Sequence, residues 1–200
     1  MPPSQSPDVP RRILGIDPGL QVAGYAVLEV SAKGPIIRDA GVVRSEKEEP
    51  PDMARRLKTL YDGICEVLDE WKPQVMVVEQ LYAHYEHPRT AILMGHARGT
   101  FFLAGAQRGI PVFSYAATKV KKLITGSGRA GKEQMQYAIA RELGLDKLPE
   151  PHDVADALAI ALSHYFASRG TLGGSKAATF TGVNMAALMG SDPDEIEDAE

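Results

Sequence analysis

The sequence predicts an α/β fold: a five-stranded mixed sheet, three antiparallel strands followed by two parallel ones, with helices on both faces. Two observations carry this expectation. Three short apolar runs lie so close together early in the chain that only hairpins can join them, and hairpins make antiparallel neighbours. Further on, apolar runs alternate with segments of helical period, which calls for parallel crossovers.

Each element can be justified in turn. Residues 11–17, RRILGID, form the first apolar run and end in Asp17; GYAVLEV (24–30) and PIIRDAGVVRS (35–45) follow, with Gly, Pro and Ser between them. Residues 52–71 place Leu57, Leu60, Tyr61, Ile64 and Leu68 three and four apart, an amphipathic helix that Pro73 stops. QVMVVEQ (74–80) is apolar from Val75 to Val78 and then reaches Glu79, a fourth strand. Residues 89–108 read as a second helix, with Ala91, Gly95 and Gly99 recurring every four residues and Arg98 and Phe102 nearby. Glycine inside a soluble helix costs ~1 kcal/mol relative to alanine, so close packing is expected there, against this chain's own sheet or against another element. IPVFSY (110–115) is the fifth strand. Helices over 116–124, 132–144 and 153–168 complete the pattern, with the loop TGSGRAG at 125–131.

Composition narrows the class. At 44% hydrophobic and 24% charged residues, the chain is an ordinary globular one. No apolar run approaches the ~18 residues of a membrane span. MPPSQSPDVPRR at the start is no secretory signal, and the single Cys65 fits a reducing cytoplasm. The formal net charge of −4 argues at first against a polyanion partner. Its distribution reverses that. Residues 1–10 read as a disordered lead-in, 11–170 as the folded domain, and 171–200 as a disordered acidic tail. The tail holds Lys176 against six acids, a net −5, which leaves +1 for residues 1–170. Within that body, Lys119, Lys121, Lys122, Arg129 and Lys132 occupy one segment with no acid among them. Such a run is often only a solvated helix face. Here it abuts a Gly-rich loop and leads into the helical region, so phosphate contact is the better reading.

Four acids form the candidate site. Asp17 and Glu79 each end an apolar strand, and ligands of open α/β sheets gather at the carboxyl ends of strands. Asp17 in D-P-G could serve as a turn former, and Glu79 could be a charge at an exposed strand tip. Asp153 and Asp156 share one face at the start of an apolar helix, where acids also act as caps. Taken together the four point elsewhere. Converging carboxylates repel unless cations neutralise them, and Mg²⁺ is the hard, oxygen-seeking ion that also takes substrate phosphates as ligands.

ILGIDPGLQVAGYAVLEV, VMVVEQLY, GHARG, VFSYAATKVKK and HDVADALAIALSHY, in this order and spacing, resemble the RuvC family of Holliday-junction endonucleases from about Arg12 to Tyr165. The resemblance implies a ribonuclease-H-like fold and a homodimer that resolves four-way DNA junctions in recombination and repair by symmetric paired nicks. It places the catalytic and metal-binding acids at Asp17, Glu79, Asp153 and Asp156. It implies hydrolysis with two Mg²⁺ ions ~3.5–4 Å apart, Mn²⁺ as a substitute, and 5′-phosphate and 3′-hydroxyl ends. Lys121 and Lys132 match lysines near the scissile strand. Tyr82 matches an aromatic position that stacks on an unpaired base at the crossover, a contact worth ~1–3 kcal/mol. His152, just before the acid pair, is an auxiliary candidate for proton transfer. The helix at 89–108 is implied in the dimer contact, and a branch-migration motor, RuvA–RuvB, is the implied protein partner.

Three rival readings fit the sequence less well. GSGRAGK at 126–132 matches the start of a P-loop, but Glu133 stands where Ser or Thr should follow. An actin-like nucleotide-binding protein would explain GIDPG, yet one body of this size cannot supply the two domains required. A catalytically inactive junction-binding module is disfavoured because all four acids are present.

Overall fold

The computed structural model describes residues 11–45, 52–81 and 88–170. The expected lead-in (1–10), the acidic tail (171–200) and the stacking candidate Tyr82 lie outside them. Strands β1 (Arg12–Asp17), β2 (Val22–Ser31) and β3 (Gly34–Arg44) form an antiparallel meander, while β4 (Val75–Glu79) and β5 (Val112–Tyr115) add in parallel on the other side of β1. The resulting order is β3-β2-β1-β4-β5. The fold class read from the sequence is the fold observed, and each strand lies within two residues of its expected limits.

Successive strand residues point to opposite faces, and here both faces are covered. Ile13, Leu28, Val75 and Val77 belong to one core, with α3 (Ala117–Thr125), α4 (Lys132–Leu143) and α5 (His152–Gly170). Leu14, Ile16, Met76 and Val78 belong to the other, with α1 (Met53–Trp71) and α2 (Pro88–Gln107). Burial on both faces explains why these strands read as continuous apolar runs. Helix α1 starts at Asp52, whose side chain accepts from the Arg55 N–H at 3.2 Å. It ends at Lys72, whose φ of 46° reverses the chain ahead of Pro73.

Helix α5 is apolar on all sides and almost wholly buried from Ala157 to Tyr165, the pattern of a central helix. It lies unusually close to the sheet. A Cβ placed on Gly15 would come within 2.3 Å of the Ala157 carbonyl oxygen, and one on Gly24 within 2.0 Å of the Asp153 carbonyl oxygen. By contrast, Gly95 and Gly99 of α2 are exposed, with open space where their Cβ atoms would stand. Packing of these two glycines against the chain's own sheet is therefore excluded. The P-loop reading also falls, because 126–131 joins helix α3 to helix α4 and no strand precedes it. Among the described residues no helix is long and apolar enough to cross a membrane.

Candidate active site

Parallel pairing places the carboxyl ends of the two central strands at one edge. The β1–β4 ladder runs to Ile16 opposite Val78, so Asp17 and Glu79 follow as lateral neighbours. On the antiparallel side, Asp17 stands opposite Gly24. The main chain of Asp153 rests on that glycine, which brings the first turn of α5 over the end of β1. Asp156 follows one turn later. Four acids distant in sequence thus share one electrostatic neighbourhood.

Their ionisation shows the crowding. Burial, then the charges of Glu79, Asp156 and Asp153, push the Asp17 carboxyl up to about 7. Burial and the Asp156 charge raise Glu79, with Lys121 opposing. Asp156 is raised mainly by desolvation and then by Asp153, against the pull of Lys132, His152 and Lys121, although its own side chain reaches solvent. In the absence of cations the fold therefore works against full ionisation of its own site.

A cavity of about 250 Å³ opens beside Glu79 and Asp156, with Lys121, Lys132, His152 and Gln136 on its walls. Gln136 Nε2 and His152 Nδ1 are 3.4 Å apart. Of the basic residues singled out from the sequence, Lys121 and Lys132 meet the acids here. Lys119 lies instead with its Nζ 4.8 Å from the centre of the Tyr115 ring. Lys122 and Arg129 are exposed and do not line the cavity.

The donor chemistry fits hard divalent cations: four carboxylates, mutually repelling and partly desolvated, at a site open to solvent. Among the described residues no three His, Cys, Asp or Glu side chains close into a ready-made metal cage. Mg²⁺ does not need one. It uses one or two carboxylates, keeps several waters and takes substrate phosphate oxygens. Asp17, Glu79, Asp153 and Asp156 are the carboxylates that could hold it.

The family model described as crossover junction endodeoxyribonuclease RuvC matches residues 13–164, all four acids included. The chain belongs to the RuvC family.

The crossover junction endodeoxyribonuclease RuvC of Rhodopirellula baltica is 50% identical over 159 residues, covering 78% of this chain and 87% of that one. The RuvC of Pelotomaculum thermopropionicum is 40% identical over 152 residues, covering 76% and 91%. Among solved structures, T. thermophilus RuvC in complex with a Holliday junction substrate superposes with a TM-score of 0.74 at 31% identity, over 80% of this chain and 96% of that one. The sheet and its helices are thus the ribonuclease-H-like resolvase fold, and RuvC enzymes are metal-dependent nucleases.

Sequence reasoning missed three supports of this RuvC-family site. Gly15 and Gly24 let α5 approach the sheet, and only the packing shows why a side chain is excluded there. Arg98, noted in the sequence merely as lying near the small residues of its helix, donates from Nε to the Glu79 carbonyl oxygen at 3.0 Å. An arginine in the middle of a helix rich in small and apolar residues was the available signal.

A pH dependence follows from Asp17. Folding raises its pKa from 3.8 to about 7, so between those values the native state keeps a proton that the unfolded chain has released. Its contribution to stability is thus greatest at the acid end of that window and falls as pH rises through it. In EDTA the unaltered protein should lose Tm across this range relative to Asp17→Asn, a comparison in which the opposite trend of His164, held down at about 4 by burial, cancels. Added Mg²⁺ should raise Tm more at pH 8 than at pH 5, since cations compensate only ionised carboxylates. Scanning calorimetry in EDTA and in Mg²⁺ checks this; an equal Mg²⁺ effect at both pH values would contradict it.

Proposed function

We propose that this RuvC-family chain resolves four-way DNA junctions in recombination and repair, with Asp17, Glu79, Asp153 and Asp156 as its catalytic and metal-binding carboxylates. The observation that carries the assignment is the convergence of these acids at the carboxyl ends of β1 and β4 and the start of α5, where Asp17 is pushed up to about 7 by burial and by the other three. Asp17, Glu79, Asp153 and Asp156 would hold two Mg²⁺ ions, with Mn²⁺ as a substitute, which would supply an acidified water nucleophile and charge neutralisation at the leaving 3′ oxygen. Symmetric paired nicks then leave 5′-phosphate and 3′-hydroxyl ends.

Lys121 and Lys132 face the acids across the cavity and would orient the scissile phosphate. Lys119, Lys122 and Arg129 extend the basic surface along the DNA, and Tyr82 supplies a stacking face for an unpaired base. His152, beside Gln136, would take or return a proton through solvent. A homodimer is supported by the outer face of α2. There Ile92 and Leu103 are 61% and 54% exposed, and Gly95 and Gly99 between them leave room for close approach. The protein partner is the RuvA–RuvB motor, and the location is the cytoplasm.

The deciding experiment compares a synthetic four-way junction with linear duplex of the same sequences, in Mg²⁺ and in EDTA. Paired nicks on the junction alone, and only with Mg²⁺, are expected; equal cutting of duplex would overturn junction selectivity. Lys132→Ala should slow junction cleavage by about one to two orders of magnitude, as loss of one charge-assisted contact of ~1.5–3 kcal/mol implies. It should also reduce the salt slope of binding by about one. An unchanged rate and slope would remove Lys132 from the site.

A further inference from the structure

We propose that Arg98 is a positioning residue for the Glu79 carboxylate, clamping the carboxyl ends of β4 and β5 together from the α2 side. The inference rests on Glu79 being one of the catalytic acids. Sheet hydrogen bonding runs out at this point. The β1–β4 ladder stops at Ile16–Val78, one residue short of Glu79, and the β4–β5 ladder stops at Glu79–Tyr115. The Gln80 N–H still reaches the Tyr115 carbonyl oxygen at 3.0 Å, after which the chain leaves the sheet.

Arg98 takes over where the ladder ends. Its Nε donates to the Glu79 carbonyl oxygen at 3.0 Å and its Nη2 to Ser114 Oγ at 2.8 Å. The guanidinium carbon stands 4.4 Å from the centre of the Phe102 ring, which steadies the plane of the fork. One rigid group therefore spans both strands, with two donors in fixed relative geometry.

The charge itself is poorly served by this location. Arg98 is half-buried, burial lowers its pKa, and among the described residues no carboxylate pairs with it. An apolar side chain of similar length would fill the space without that desolvation. What only the guanidinium supplies is the bridge from Glu79 to Ser114. The opposite face is held as well, since the Tyr115 hydroxyl and His164 Nδ1 are 2.9 Å apart. Consecutive β5 residues are thus gripped from the two sides, and the main chain that aims Glu79 has little freedom left.

The test uses the full chain and three variants. Arg98→Met keeps length and apolar bulk but removes both donors; Arg98→Lys keeps the charge and one donor; Glu79→Gln removes the carboxylate itself. Single-turnover junction cleavage in Mg²⁺, junction Kd without Mg²⁺, and Tm with and without Mg²⁺ are measured for each. For Arg98→Met we expect cleavage to slow by about 10²-fold, the effect of a small misplacement of a catalytic group. Junction Kd and the EDTA Tm should hold, while the Mg²⁺-induced rise in Tm shrinks. Arg98→Lys should fall between Arg98→Met and the unaltered protein. If Arg98→Met does not fold, Arg98→Lys decides alone: a reduced rate at unchanged Kd supports the clamp, and a full rate overturns it. Loss of junction affinity in proportion to rate would make Arg98 a DNA contact and overturn positioning. Normal cleavage by Arg98→Met beside an inactive Glu79→Gln also overturns it. Normal cleavage by Glu79→Gln would instead remove the reading of Glu79 on which the clamp rests.

Discussion

Asp17→Asn is expected to abolish cleavage of a four-way junction in Mg²⁺, by about 10³-fold or more, while junction binding persists. The magnitude follows from what the carboxylate does. A metal ion contributes several kcal/mol to stabilising a phosphoryl transition state, and each 1.36 kcal/mol is a factor of ten in rate. Asp17 is the acid most exposed to this loss because it feels all three of the others. Asparagine keeps the size and the packing against the end of β1, so the fold has no steric reason to change.

The same substitution should stabilise the metal-free protein. Replacing a desolvated carboxylate that repels Glu79, Asp156 and Asp153 removes a cost the native state bears when those groups ionise. In EDTA at pH 8 the Tm of Asp17→Asn should rise, and Mg²⁺ should raise it less than in the unaltered protein. Activity lost together with stability gained marks a site maintained against the interest of the fold. A variant that cleaves normally, or that loses activity through a lower Tm, would return Asp17 to the role of a turn former.

How far this was legible in the sequence depended on the kind of signal. Strands buried on both faces leave uninterrupted apolar runs, so Ile13–Ile16 and Val75–Val78 were readable, and so were the acids that end them. Helix α1 declared itself through Leu57, Leu60, Ile64 and Leu68. Charge summed over the whole chain misled, because the six acids of the tail offset a basic segment around Lys119–Lys132. Long-range contact had no local signature. Nothing near Arg98 states that its donors reach Glu79 and Ser114, and the basic segment alone cannot show that Lys121 and Lys132 reach the acids while Lys122 does not. Glycines were the hardest to read. Gly95 and Gly99 left packing against the chain's own sheet or against another element open, and only their exposure excludes the first, whereas Gly15 and Gly24 drew no attention and carry the close contacts between α5 and the sheet.

Gly24 therefore supports the second large effect: Gly24→Ala should cripple cleavage through a single methyl group. The added Cβ would stand 2.0 Å from the carbonyl oxygen of Asp153 and 2.5 Å from its carbonyl carbon. Both are backbone atoms of a helix start, so no rotamer change can relieve the clash. Either β2 bends away from α5 or the first turn of α5 lifts. Overpacking of this kind costs ~1–3 kcal/mol and occasionally more, and Tm should fall accordingly. The effect on rate should be larger than the effect on stability. Gly24 is the register partner of Asp17, so lifting α5 separates the β1 acid from Asp153 and Asp156. A displacement of about 1 Å can cost ~10²-fold. Measuring the rate well below the variant's Tm, where the folded fraction is complete, separates the two effects. Gly95→Ala is the control, since its Cβ meets open space; it should raise monomer stability by about 1 kcal/mol and disturb only what docks on α2. If Gly24→Ala cleaved at the full rate, close seating of α5 on the sheet would not be what aligns the acids.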